Sequence, residues 1–183
     1  ANALSPVEIA LPSSGGGGGA AKSVVAVAAG SNHVLVLSSD GQLYAWGYNI
    51  AGQLGNGTTT PAYTPTPVSP GAMGSKTVIA IAACDNNSMA MTSDGFVYAW
   101  GSNTLGNIGD GSTIARSVPT QVLTPAGLTG KLNAISQVGS TGFAWSGGSV
   151  AFTVQPQSAA ALEGGSVTLS ALLHAPGLPV AYQ

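Results

Sequence analysis

Ser39-Asp40-Gly41-Gln42-Leu43-Tyr44-Ala45-Trp46-Gly47 returns 54 residues later as Ser93-Asp94-Gly95-Phe96-Val97-Tyr98-Ala99-Trp100-Gly101. Residues 24–68 laid on 78–122 agree at 20 of 45 positions. Self-similarity at a period of about 50 residues marks a propeller or solenoid, in which each unit buries its core against its neighbours. The search for function therefore moves from a catalytic cleft to a surface assembled from repeated blades.

Each copy reads as β structure. Val24-Val25-Ala26-Val27-Ala28-Ala29 is a short apolar strand, Gly30-Ser31-Asn32 a turn, and Val34 to Leu37 a second strand. Asp40-Gly41 predicts a tight type I′ hairpin, with positive φ at both central residues, and Leu43 to Trp46 returns as its partner. Glycines follow at 47, 52, 55 and 57, where the backbone bends or passes close to a neighbour. A Thr/Pro-rich stretch, 58–70, leads on to the next strand at Val78. The second copy repeats the layout, with glycines at 101, 106, 109 and 111.

A third copy starts at Leu132-Asn133-Ala134-Ile135 and then fails: no Asp-Gly follows, and Trp145 comes nine residues before position 154, where the period puts it. The expected division is 1–23, the tail of a preceding repeat with the Gly15–Gly19 loop; 24–138, the repeats (24–77, 78–131 and a degenerate start at 132–138); 139–151, a Gly/Ser-rich linker; and 152–183, a new module. In that last part Val167, Leu169 and Ala171 alternate with Thr168 and Ser170, the pattern of a strand buried on one face.

The run Trp46-Gly47-Tyr48-Asn49-Ile50-Ala51-Gly52-Gln53-Leu54-Gly55-Asn56-Gly57, preceded by Ala28-Ala29-Gly30-Ser31-Asn32-His33 and Asp40-Gly41, resembles the regulator of chromosome condensation family. The resemblance covers two full units and flanking fragments, and implies blades of a seven-bladed propeller. The second copy departs from the pattern with Cys84 for Gly30, Asn87 for His33 and Asn107-Ile108 for Gln53-Leu54. Residues 152–183, with Gln155-Pro156-Gln157, Glu163-Gly164-Gly165-Ser166-Val167-Thr168-Leu169-Ser170 and Gly177-Leu178-Pro179-Val180-Ala181-Tyr182-Gln183, resemble a bacterial immunoglobulin-like domain. Ala171 stands where many of its members place a disulfide cysteine. The expected fold is all-β: a partial propeller of two blades and fragments, followed by a truncated immunoglobulin-like sandwich.

Chemistry is sparse. Charged residues make up 5% of the chain and the net charge is −2, with Lys22, Lys76, Arg116 and Lys131 scattered. That leaves no basic patch for nucleic acid, and no apolar run reaches the ~18 residues of a membrane span. No acids pair for general acid/base work, and no His/Cys/acid cluster offers a metal site. Asp40 and Asp94 serve hairpins, Glu163 precedes a strand, and Asp110 fills the turn position of Asn56. His33 reads as structural, its ring bonding blade backbone; His174 has no evident partner. Cys84, the only cysteine, forms no intrachain disulfide and reads as a small buried residue. The glycine-rich run lacks the Gly-Lys-Ser/Thr of a phosphate loop. Tyr44, Trp46, Tyr98 and Trp100, repeated at one place per copy, read as core.

These features give no catalytic, cofactor or metal residue and no named binding residue. The expected role is a non-enzymatic propeller scaffold of a secreted or cell-surface protein, binding a protein or glycan partner through loops 58–77 and 112–131. The alternative, which the family resemblance implies, is a cytoplasmic guanine-nucleotide exchange factor for a small GTPase. Two blades leave unpaired edges, so residues 1–183 alone are expected to be unstable or to aggregate.

Overall fold

The computed structural model describes residues 8–12 and 22–123, together with strands at 134–138, 141–146 and 149–152. Of the expected tail and glycine loop at 1–23 only residues 8–12, 22 and 23 are described; the glycine run and all of the immunoglobulin-like module except Phe152 lie outside the described residues.

Two four-stranded antiparallel meanders form the body. The first, blade 1, runs β1 (Val24–Ala29), β2 (His33–Ser38), β3 (Leu43–Gly47) and β4 (Ala62–Pro67), paired in that order. Blade 2 repeats it as β5 (Val78–Cys84), β6 (Asn87–Thr92), β7 (Val97–Gly101) and β8 (Arg116–Gln121). The first strands β1 and β5 touch each other, as do β5 and β9 (Ala134–Val138) of a third unit. No helix among the described residues is long and apolar enough to cross a membrane.

Side-chain alternation makes each blade a two-sided layer. Leu35, Leu37, Leu43 and Ala45 of blade 1 meet Ala90, Tyr98 and Trp100 of blade 2 in one core. Met89, Met91, Val97 and Ala99 point the other way, into a second core with Ile108, Val122 and Ile135. Tyr98 and Trp100 are fully buried, and Tyr44 is nearly so. Trp46 is only half-buried, because it lies on the face of blade 1 that blade 2 does not cover.

Three expectations are corrected. First, the hairpins are not type I′. Gly41 has φ 79° and Gly95 φ 86°, but neither aspartate before them has positive φ. The Gly41 N–H bonds the Ser38 carbonyl at 2.9 Å and the Ser38 N–H bonds the Gln42 carbonyl at 3.0 Å, so three residues make the connection. Asp40 contributes through its side chain, which accepts hydrogen bonds from the Ser38 hydroxyl and the Gln42 N–H.

Second, the Thr/Pro-rich stretch contains strand β4, with Tyr44 opposite Pro67 and Ala45 opposite Thr66. Proline lacks an N–H, but an outermost strand has one side that needs none. Half of the described part of loop 112–131, which ends at residue 123, is likewise strand β8.

Third, strands occupy most of the expected linker 139–151. Thr141–Ser146 (β10) pairs with β9 and with Ser149–Phe152 (β11). β10 begins 54 residues after β6, so the third unit keeps the period for at least its second strand. Trp145 thus holds the register position of Met91 and Leu37, in a second strand, and is no counterpart of Trp46 or Trp100 in a third strand.

Candidate functional site

The joint between blades is built around one loop. Asn49, fully buried, holds residues 49–60 together: its amide nitrogen donates to the Thr58 and Thr60 carbonyls at 3.1 and 3.0 Å, and its oxygen accepts the Leu54 N–H at 2.9 Å. Asn103 repeats this for blade 2, bonding the Ser112 and Ile114 carbonyls and the Ile108 N–H. A loop whose backbone groups are satisfied by its own asparagine arrives at its neighbour already shaped.

The loop of blade 1 enters a seat on blade 2. The Gln53 side chain donates to Asn86 Oδ1 at 2.9 Å. Its backbone carbonyl accepts from the Ser88 hydroxyl at 2.8 Å and from Trp100 Nε1 at 3.0 Å, which uses both lone pairs. The Gly57 N–H bonds the Ser117 carbonyl at 2.9 Å. Glycine is required by proximity as well as by φ: a Cβ on Gly55 would lie 2.5 Å from Trp100 Nε1, and one on Gly52 2.7 Å from Ser117 Cα.

His33 completes the joint. Its Nε2 lies 2.8 Å from Ser88 Oγ. Ser88 gives its one proton to Gln53, so His33 Nε2–H is the donor and Nδ1 is left as a buried acceptor with no partner. Burial pushes the His33 pKa down to about 4, opposed by the Asp85 carbonyl beside the ring. The histidine is structural, as expected, but its ring bonds a side chain of the next blade. Asp85, the one described non-glycine residue with positive φ (46°), accepts from the Ser31 hydroxyl at 3.1 Å and adds a second tie across the joint.

Among the described residues, nothing fills the same seat on blade 1. A cleft of about 460 Å³ is lined by Asn32, Gly47, Tyr48, Pro61 and Tyr63. One period on, these are Asn86, Gly101, Ser102, Ala115 and Ser117, two of which, Asn86 and Ser117, the blade 1 loop touches in blade 2. Two tyrosines and a proline thus replace two serines and an alanine. Tyr63 is 87% exposed. Pro61 and Tyr63 fall in the expected binding loop 58–77, whereas sequence reading does not single out Asn32, Gly47 or Tyr48 for binding, although Tyr48 visibly departs from the repeat.

The charged side chains are absorbed by structure. Lys22 pairs with Asp40 at 2.9 Å and Lys76 with Asp94 at 3.0 Å, equivalent ties one period apart. The Ser38 hydroxyl and Lys22 hold Asp40 down at about 2. Arg116 pairs with Asp110 at 2.6 Å. Burial would raise the Asp110 pKa, but the Ser112 hydroxyl and Arg116 outweigh it and hold it below the usual range. Every described cation is therefore paired, and no group of three or more metal-ligating side chains occurs among the described residues. Cys84 is half-buried, and His174 lies outside the described residues.

Known proteins share this arrangement. The regulator of chromosome condensation (RCC1) repeat matches residues 40–91 and 94–140, more than half of the chain, and a second description of the repeat matches 24–53 and 78–107. Human E3 ubiquitin-protein ligase HERC2 is 37% identical over 101 residues, which is 54% of this chain and 2% of the ligase. A Danio rerio RCC2 homolog is 36% identical over 80 residues, 44% of this chain and 16% of the homolog. The chain thus spans a small part of the curated relatives it matches. Among solved structures, human WBSCR16 superposes with a TM-score of 0.60 at 30% identity, covering 69% of this chain and 32% of that one. Prp20p of Saccharomyces cerevisiae gives 0.55 at 22%, covering 66% and 30%. The chain belongs to the regulator of chromosome condensation (RCC1) repeat family.

Proposed function

We propose that these repeats are a non-enzymatic propeller module that binds a protein or glycan partner, within a secreted or cell-surface multidomain protein. One observation carries the binding reading: the joint residues Asn49/Asn103 and Trp46/Trp100 are held between copies, while the open cleft changes to Tyr48, Pro61 and Tyr63. Residues kept by the repeat serve the architecture, and those free to differ are where a partner can be selected. The low charge supports placement outside the cell, and an export signal in the full reading frame tests it. A reading frame with no such signal overturns that placement.

The rival reading is nucleotide exchange on a small GTPase. The crystallographic study of Prp20p concerns its binding to Gsp1p and histones, so the fold can carry such partners. Against it, the β3–β4 and β7–β8 connections, 48–61 and 102–115, are equally long and neither carries an inserted hairpin. A small GTPase loaded with a fluorescent guanine nucleotide separates the two. With the chain added, release is expected to stay within about twofold of the intrinsic rate, and a tenfold acceleration would favour exchange.

A further inference from the structure

We propose that Asn56 is the attachment site of an N-linked glycan. Asn56-Gly57-Thr58 has the Asn-x-Ser/Thr order of a glycan acceptor, with a glycine and not a proline in the middle. The proposal rests on the placement of the repeats outside the cell, because exported chains are the ones that carry such glycans. A second triplet of the same kind is Asn86-Asn87-Ser88. The fold treats the two in opposite ways.

Asn56 is half-buried in the blade 1 loop, followed by exposed Gly57 and Thr58. Its Oδ1 accepts from the Thr58 N–H at 3.1 Å, the Thr58 hydroxyl at 2.8 Å and the Asn49 amide at 3.4 Å. A backbone N–H can only donate, so the oxygen lies on this side of the amide and Nδ2 on the other. Among the described residues Nδ2 has no hydrogen-bond partner, and it is not sealed from solvent. An amide nitrogen is a poor nucleophile because its lone pair is shared with the carbonyl. Three donors on Oδ1 stabilise the charge that collects there as Nδ2 gives up a proton. The donor is a sugar carried on a diphosphate. The bond from Nδ2 to the anomeric carbon forms and the bond from that carbon to the diphosphate oxygen breaks. The diphosphate leaves with the electron pair, and solvent takes the proton.

Blade 2 shows that the loop has no need of the nitrogen. Asp110 replaces Asn56, and its Oδ1 accepts the same three bonds, from the Ser112 N–H at 3.0 Å, the Ser112 hydroxyl at 2.7 Å and the Asn103 amide at 3.3 Å. Its Oδ2, in the place of Nδ2, is covered by Arg116 at 2.6 Å. One period before Arg116 stands Ala62, so no side chain of that length covers Asn56 Nδ2. A glycan there keeps all three bonds to Oδ1 and the bond from the Gly57 N–H to the Ser117 carbonyl. The other triplet is spent on the joint between blades. Asn86 Oδ1 accepts from Gln53 at 2.9 Å, and the fully buried Ser88 hydroxyl donates to the Gln53 carbonyl at 2.8 Å instead of to its own asparagine. A transferase would have to part the blades to reach that hydroxyl.

The test incubates the full chain, folded and dilute, with UDP-glucose and an asparagine N-glucosyltransferase that accepts Asn-x-Ser/Thr. The same reaction is run on chain already cut by trypsin. Cleavage after Lys22, Lys76 and Arg116 puts each triplet on its own fragment, 23–76 and 77–116, for mass spectrometry. The intact chain is expected to take a hexose on Asn56 about tenfold faster or more than on Asn86, and the digest to narrow that preference to a few-fold. Thr58→Val is expected to slow transfer to Asn56 about tenfold, Thr58→Ser to restore it, and Asn56→Asp to abolish it. An intact chain that takes no hexose on Asn56, or takes it equally on Asn86, overturns the proposal. So does an undiminished preference in the digest, which would assign the choice to the triplet sequence alone. Placement outside the cell fails separately: a full reading frame without an export signal overturns it and leaves the transfer result unchanged.

Discussion

At the scale of single residues, the joint depends on a histidine that must stay neutral. An unfolded His33 takes up its proton near 6.5, and the folded one near 4. Between those values the unfolded chain binds more protons, so stability is fully present above pH 6.5 and is lost as pH falls to about 4. The loss is up to about 3 kcal/mol, from 1.36 kcal/mol per unit. Urea midpoints from pH 7 to pH 4 are expected to fall, and to fall less in His33→Asn, the residue the second copy carries. Equal pH slopes in both would refute this. Sequence identified His33 as structural but not its partner. Ser88 is 55 residues away, and only the fold shows that one repeat's second strand faces the next repeat's.

Gly30 shows the same dependence from the other side. A Cβ there would press into the His33 ring and approach the Asp85 carbonyl at 2.7 Å. The second copy has Cys84 at this place and Asn87 in place of the histidine, so a side chain appears where the ring is gone. Gly30→Cys alone is expected to cost about 2 kcal/mol or more through overpacking. Combined with His33→Asn, the cost is expected to be smaller than the sum of the two single changes. A double-mutant cycle checks it, and additive effects would show that the two positions do not compensate.

At the scale of elements, glycines with similar φ differ in what they do. Gly41 (φ 79°) has open space around it, and Gly55 (φ 67°) has the Trp100 indole against it. Gly41→Ala is expected to cost about 1 kcal/mol, the backbone strain alone. Gly55→Ala adds displacement of a fully buried tryptophan and its hydrogen bond to Gln53, for about 3 kcal/mol or more in total. Chemical denaturation of the two variants measures the gap, and equal losses would show that the indole yields freely. The sequence made the hairpins and the first three strands of each blade legible, because apolar alternation and Asp-Gly are local signals. It hid β4 and β8, whose Thr and Pro residues resemble a loop until an edge position excuses the missing N–H groups. It also hid β10 and β11. There Gly147-Gly148 separates two strands paired at Ser146 and Ser149, a two-residue hairpin signal that reads as linker in a Gly/Ser-rich context.

At the scale of the whole molecule, the repeats leave a face of blade 1 unmatched. Leu35 and Leu37 are buried against blade 2, whereas Val25 and Val27, on the opposite side of β1, are each 62% exposed. β1 is also a sheet edge with free backbone donors and acceptors, so apolar surface and strand edge coincide. Aromatic and apolar exposure continues outward to half-buried Trp46 and to Tyr63. Residues 1–183 alone are therefore expected to self-associate without fixed stoichiometry as concentration rises, and light scattering measures this. The double change Val25→Lys, Val27→Lys puts charge on that edge without touching the core shared by the blades. It is expected to suppress association and to leave a cooperative thermal transition, because Trp100, Leu54 and the Gln53 joint remain. Wild-type chain that stays monomeric and unfolds sharply would show that two blades suffice as a unit. Loss of cooperativity in the lysine variant would show instead that β1 holds the blades through its outer face as well as its inner one.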